Sequence, residues 1–145
     1  FATSIALLNK KNVLASVIYD PIKDEMFYSE KGKGAFINNS RIRVSSNKNI
    51  SNSVFVFERA SLMRDFIDKS ITSDDNNIRV LGSNCLDLAN TASGRIEGYI
   101  SDKLNDTNLS AGLLLLRESG GIKINLNDPK YSVMTNNLLA ESFTG

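Results

Sequence analysis

The residue types present restrict the chemistry. None of the 145 residues is a histidine, and Cys85 is the single cysteine. A Ser-His-Asp or Cys-His triad, an HExxH zinc site and histidine general-base catalysis are therefore excluded within the chain. Hydrolysis here would have to use carboxylates, hydroxyls and a metal ion. Gly82-Ser83 precedes an apolar helix and reads as a turn and cap, and Asn108 is a good N-cap for the apolar run after it. A helix start of this kind also suits an anion such as phosphate, because its first N–H groups have no partner in the helix. Lys31-Gly32-Lys33-Gly34 has the look of a phosphate loop but lacks the Walker spacing and a following helix, so it reads as a hairpin turn. Cys85 lies on an apolar helix face and reads as core; Asp87, between Leu86 and Leu88, reads as a local hydrogen-bonding group.

These groups need elements to position them. Thr3–Leu8 and Val13–Tyr19 read as strands flanking the polar turn Asn9-Lys10-Lys11-Asn12. Asp20-Pro21 and Lys23-Asp24 mark the next turn, and Glu25–Ser29 extends again. Gly32, Gly34 and Asn38-Asn39 supply residues that tolerate positive φ at two further turns. Arg41–Val44 alternates as a half-buried strand whose arginines meet solvent, and Ser53–Phe57 reads as the last strand of this antiparallel meander. Beyond it the pattern alternates: helix Ser61–Lys69, polar loop Ser73–Asn77, strand Arg79–Leu81, helix Cys85–Ser93 stopped by Gly94, strand Glu97–Ser101. A helix capped at Thr107 or Asn108 runs to Glu118, ended by Gly120-Gly121. Ile122–Leu126 and Asn137–Ala140 read as closing strands, with no terminal helix after them. The expected class is α/β in layers: a meander, then strands alternating with helices packed on a sheet.

Bulk properties agree with one ordinary globular domain. Hydrophobic residues make up 41% and charged residues 23%, and the formal net charge is +1. That balance gives no global reason to expect direct binding to nucleic acid or an anionic membrane. No apolar run exceeds Leu113–Leu116, far short of the ~20 residues of a membrane-spanning helix, and no signal-peptide pattern is present. A lone cysteine suits a reducing, cytoplasmic setting.

Three ordered stretches carry a resemblance. Phe1-Ala-Thr-Ser-Ile-Ala-Leu7 leads to Gly32-Lys-Gly-Ala-Phe-Ile-Asn-Asn39 and Ile42-Arg-Val-Ser45. Leu81-Gly-Ser-Asn-Cys-Leu-Asp-Leu-Ala89 is followed by Ser93-Gly-Arg-Ile-Glu-Gly98. Thr107-Asn-Leu-Ser-Ala-Gly-Leu-Leu-Leu-Leu-Arg-Glu-Ser-Gly-Gly121 closes the set. Together they resemble the inositol monophosphatase family, nearest its bacterial SuhB-type branch, with its GxGA turn, GSAALDLA segment and WDxAAG segment.

The resemblance implies the layered αβαβα sugar-phosphatase fold and Mg²⁺-dependent hydrolysis of a small phosphate monoester such as inositol 1-phosphate. In that chemistry a metal-bound water attacks phosphorus in line while a second metal stabilises the leaving oxygen. It places Gly82, Ser83 and Asn84 on the substrate side, puts Ser101 where the family has a substrate-contacting glutamate, and puts Asn108 where it has a metal-binding aspartate. Asp102 or Asp106 then stands near enough to compensate, Asp106 as a second metal-side candidate. The family's early metal-binding glutamate and DPxDGT segment do not occur in these residues, and Asp20-Pro21, lacking Gly-Thr, is a turn. The expectation is that residues 1–145 correspond to the C-terminal part of one such domain, are inactive alone, and belong to a protein that forms homodimers. The rival is a non-catalytic, truncated or degenerate member keeping an interaction role of the SuhB type. A further enzymatic alternative is a sister phosphatase acting on nucleotide 3′-phosphates or sugar bisphosphates.

Overall fold

Alternating side chains build the first sheet. A computed structural model describes residues 1–67, 77–102, 106–126 and 131–144. Strands Thr3–Asn9 (β1), Asn12–Asp20 (β2), Glu25–Glu30 (β3), Gly34–Ile37 (β4) and Ser40–Arg41 (β5) pair antiparallel in sequence order. Ile18 opposite Phe27 and Ser16 opposite Ser29 mark its inner face, where the two serine hydroxyls hydrogen-bond at 2.7 Å. The tight turns use left-handed residues: Lys10, Asp24, Asn38, Gly32 and Gly34 all have positive φ, and the Asn38 Oδ1 accepts the Met26 N–H. The β3–β4 connection is the hairpin turn expected of Lys31–Gly34.

The expected strand Arg41–Val44 is shorter in the structure, because pairing stops at Arg41. Ile42 and Val44 turn their side chains to the helices instead, and the Val44 N–H reaches the Ser119 carbonyl at 3.1 Å. This segment carries the chain from the first sheet to the second. Ser53–Phe57 does not close the meander. Phe55–Phe57 (β6) lies in the second sheet, parallel to Ile78–Arg79 (β7) and to Gly98–Asp102 (β8). Its three residues are all buried, as expected of a strand covered on both faces.

The second sheet runs β7-β6-β8-β10-β9, with Gly121–Asn125 as β9 and Tyr131–Asn136 as β10. The expected strand Asn137–Ala140 is instead the start of a terminal helix, Asn137–Thr144 (α4). Asn136 is the reason: its Oδ1 accepts the Leu139 N–H at 2.8 Å and so caps the helix. The other helices are Ala60–Ile67 (α1), Asn84–Ala92 (α2) and Asp106–Glu118 (α3). Helix α3 begins two residues before Asn108, so Asn108 sits in the first turn and is not the cap. Lys69 and most of the loop Ser73–Asn77 lie outside the described residues.

The layers follow from which faces are apolar. Ile18, Phe27, Ala35 and Ile42 of the first sheet pack on Ala89, Ala92, Ala111 and Leu115 of α2 and α3. Leu88, Leu109, Leu113 and Leu116 on the same two helices pack on Val56, Tyr99 and Met134 of the second sheet. The other face of that sheet, with Phe57, Ile100 and Val133, is covered by Leu62 of α1 and Leu139 of α4. The order is sheet, helix pair, sheet, helices. The outer face of the first sheet carries Ile5 (61% exposed), Leu7 (60%) and Met26 (45%), with Tyr28 stacked on Phe36 beside them.

Two expectations follow. A methyl group at Gly112 would come within 2.5 Å of Leu88 Cδ1 and 2.8 Å of its Cβ, so Gly112→Ala pushes α2 and α3 apart. The loss is about 1–3 kcal/mol in urea unfolding; no loss would mean that the helices are not in contact here. The 145-residue chain self-associates through the apolar outer face of its first sheet, and Ile5→Thr with Leu7→Lys shifts it towards monomer in sedimentation velocity.

Candidate functional site

Strands β7, β6 and β8 are parallel neighbours, and each is followed by a helix: α2, α1 and α3 respectively. Their carboxyl ends share one edge of the sheet, where open α/β sheets receive ligands, and three helix N-termini begin there. The residues along this edge are Glu58-Arg59 after β6, Gly82–Asn84 after β7, Ser101-Asp102 at the end of β8, and Asp106–Asn108 in the first turn of α3. Segments as far apart in the chain as Glu58 and Asn108 are thus gathered by topology alone.

Each segment has its own local cause. Gly82 holds φ at 83°, a left-handed value, with open space where a side chain would stand. It lets the chain turn sharply from β7 into α2. Ser83 occupies the N-cap position in an extended conformation, yet its hydroxyl makes no capping bond. The first N–H groups of α2 therefore lack their usual side-chain partner and face the strand ends with the positive end of the helix dipole. Ser101 behaves differently: it is 1% exposed, and its hydroxyl donates to the Asp102 carbonyl at 2.9 Å. Asp102 is engaged as well. Its carboxylate pairs with Arg59, and its N–H donates to Glu58 Oε2 at 3.2 Å. The side chains of Asp106 and Asn108 lie outside the described residues.

Beneath this edge are two buried polar groups. Asp87, in the first turn of α2, is 1% exposed, and its Oδ2 has no hydrogen-bond partner. It is not the local hydrogen-bonding carboxylate expected of it; only its backbone is engaged, the carbonyl accepting from the Thr91 hydroxyl at 2.8 Å. Burial pushes its carboxyl up to about 7. The Tyr99 phenol is likewise buried without a partner, and burial first, then the nearby Glu58 and Asp87 carboxyls, raise its pKa. Cys85 is half-buried against the helix–sheet core, as expected.

The fit to a metal is poor among the described residues. No three histidine, cysteine, aspartate or glutamate side chains stand close enough together to hold an ion. Of the carboxylates at the edge, Glu58 receives a backbone amide, Asp102 is paired with arginine, and Asp87 is buried.

Several residues that shape the site were not singled out from the sequence alone, though they sit inside the motifs that carried the resemblance. Glu97 accepts the Val54 N–H at 2.6 Å and the Ser45 hydroxyl at 3.2 Å, tying the crossing segment to β6. Arg95 makes a two-pronged bond to Glu25 at 2.7 and 2.8 Å, holding α2's end to the first sheet. The paired charges hold the Glu25 carboxyl below, and the Arg95 guanidinium above, their ordinary values. Glu118 accepts the Gly32 and Gly34 N–H groups at 2.7 and 2.9 Å. Acidic positions in these motifs therefore join layers.

The Asp87 shift gives a signed expectation. In the unfolded chain this carboxyl loses its proton near 3.8, whereas the folded chain keeps it until about 7. The folded state binds the extra proton in that window, so stability falls as pH rises from about 4 to 7. Asp87→Asn flattens this part of the profile and stabilises the chain at pH 8 by roughly 1–3 kcal/mol. Thermal melts from pH 4 to 8 that kept their slope in the variant would show that Asp87 is not the titrating group.

Comparison with known proteins accords with this geometry. The model of the family described as "Inositol monophosphatase family" matches residues 1–144. The chain is 38% identical over 127 residues to an inositol-1-monophosphatase of Mesorhizobium japonicum, covering 83% of the chain and 48% of the relative. It is 32% identical over 146 residues to the Nus factor SuhB of Pasteurella multocida, covering 97% and 55%. The chain thus spans about half the length of the curated relatives it matches. Among solved structures, the SuhB protein of Bartonella henselae superposes with a TM-score of 0.80 at 32% identity, over 98% of this chain and 61% of that one. The IMPase of Thermotoga maritima gives 0.84 at 27% identity, over 98% and 58%. With its layered α/β architecture and its ordered motifs matched from end to end, the chain belongs to the inositol monophosphatase family.

Proposed function

We infer that this chain serves the hydrolysis of a small phosphate monoester of the inositol 1-phosphate type, in a Mg²⁺-dependent, homodimeric protein, and that it supplies the substrate side of the site. The observation that carries this reading is the uncapped start of α2 behind the left-handed Gly82, within a chain of this phosphatase family. The N–H groups of Ser83 and Asn84 and the free Ser83 hydroxyl receive the anionic substrate, assisted by the helix dipole. Position 108, with Asp106 beside it, belongs to the metal side, and Ser101 supports the strand end under the substrate. Mg²⁺, where the whole protein binds it, supplies charge neutralisation on the phosphoryl oxygens and a nucleophilic water. The described carboxylates do not form its site, so no step is assigned to them.

A second reading has its own support. Asn108 and Thr107 replace the aspartate and tryptophan of the family motif, and relatives that match nearly the whole chain are named Nus factor SuhB. A non-catalytic, interaction-based role fits both facts.

A titration and a turnover assay address the two readings. Inositol 1-phosphate added to the isotope-labelled chain without metal shifts the amide signals of residues 82–84; an unmoved spectrum there would overturn the substrate assignment. In a phosphate-release assay with Mg²⁺ the 145-residue chain stays at buffer background. Turnover above it would show that these residues hold a working metal site after all.

A further inference from the structure

Among the described residues of this near-neutral chain, four cations gather around one cavity. Along α3 from Ser110 to Glu118, with Arg117 about 13 Å along the helix axis from Asn108, lies a cavity of about 620 Å³ between α3 and the β1–β2 hairpin. Leu8, Val13, Leu113 and Leu114 line it, and Lys10, Lys11, Lys31 and Arg117 stand around it. Among the described residues none of these four cations forms a salt bridge. Two carboxylates stand close: Glu30 pairs with Lys33 at 2.7 Å, and Glu118, which also lines the cavity, keeps its charge but turns both oxygens to N–H groups of the β3–β4 turn, so the cations outnumber the anion around the cavity four to one.

The frame around the cavity is held in place. The Lys31 N–H donates to the Leu14 carbonyl at 2.9 Å, and Glu118 ties the following glycines to the end of α3, next to Arg117. Lys10 takes a left-handed φ of 57° in a two-residue hairpin loop where asparagine or glycine would sit at less cost. The loop thus carries a positive charge at Lys10 in place of the residue its geometry prefers, with a second on Lys11 beside it. The volume is that of a small-molecule site, and apolar walls beneath a cationic rim suit a ligand with an apolar or flat body and several negative charges.

We propose that this groove binds a small, multiply phosphorylated molecule with a flat body, of the nucleoside di- or triphosphate class, at a site separate from the strand-end edge. The phosphates lie against Lys10, Lys11, Lys31 and Arg117, and the body lies on Leu8, Val13 and Leu114. The site is independent of the phosphatase reading, since none of its residues belongs to the strand-end edge.

The test is a titration of the labelled chain with ATP in EDTA, followed by amide shifts, with inorganic pyrophosphate, an acidic decapeptide and a single-stranded RNA oligonucleotide as comparators. ATP is expected to shift residues 10–13, 31 and 117, with pyrophosphate at least tenfold weaker. Lys31→Gln with Arg117→Gln weakens ATP binding at least tenfold. The exposed-turn pair Lys10→Gln with Lys11→Gln weakens it severalfold, and neither disturbs the remaining spectrum. Shifts confined to residues 82–84, no shifts at all, or equal affinity for pyrophosphate would overturn the proposal. So would tighter binding of the peptide or the RNA to the same residues, which would make the groove a macromolecular contact.

Discussion

The helix pair α2–α3 has a sheet on each side, and most of the architecture follows from that constraint. A helix with one covered face can be amphipathic; one covered on two faces must supply small residues where it meets a close neighbour and large ones where it fills a gap. Ala89, Ala92 and Ala111 let the first sheet approach, Leu109, Leu113 and Leu116 fill the space before the second, and Gly112 admits Leu88 between the helices. Because the two helices are parallel connections from β7 and β8, clamping them also sets where their N-termini point. The candidate site is thus a by-product of packing: the layer that builds the core aims two helix starts at one sheet edge.

Ionised side chains do the joining between layers. Glu25–Arg95, Glu97 with Val54 and Ser45, and Glu118 with Gly32 and Gly34 each link segments more than 40 residues apart. Charge-assisted bonds of this kind are directional where apolar packing is not, so they settle the relative placement of sheets that hydrophobic burial would allow to slide. They also explain why glutamates and an arginine recur inside motifs that look catalytic at first sight. Their oxygens are spent on backbone amides and guanidinium, which removes them from the supply of metal ligands. Four cations with no joining duty, Lys10, Lys11, Lys31 and Arg117, stand around one groove.

The strand-end edge and the groove thus pose different electrostatic problems. The edge offers backbone dipoles with few free side-chain charges, an arrangement that receives an anion without binding it through lysine or arginine. Directly below it sit a carboxyl and a phenol with no partners, Asp87 and Tyr99. Burial of such groups is costly, and the protonated state of Asp87 is how the fold limits that cost near neutral pH.

Local pattern was enough for β1, β2, β3, α2 and α3, since alternation and helical period are written into neighbouring residues, and the ordered motifs were enough for the family. Partners were not legible in the same way. Phe55-Val56-Phe57 reads as a strand in any sheet, and only the packing of both its faces assigns it to the second. Tyr131–Asn136 is not legible as a strand from its composition, because a wholly buried strand need not be wholly apolar: Ser132, Thr135 and Asn136 are buried with their polar atoms bonded to Asn125, Glu97, Ser45 and Asn47. Asn137–Ala140 has an extended-looking composition, but the cap supplied by Asn136 starts a helix there. Gly82-Ser83 could be singled out from order and type, whereas the inward turn of the Ser101 hydroxyl and the engagement of Asp102 by Arg59 depend on atoms that meet only after folding. The same holds for the basic groove, since residues 10, 11, 31 and 117 are scattered along a chain of net charge +1. Sequence alone determined most of the elements and the lineage, because both reside in short-range order; tertiary structure decided how the elements pair and which groups remain free to act, because that depends on neighbours distant in the chain.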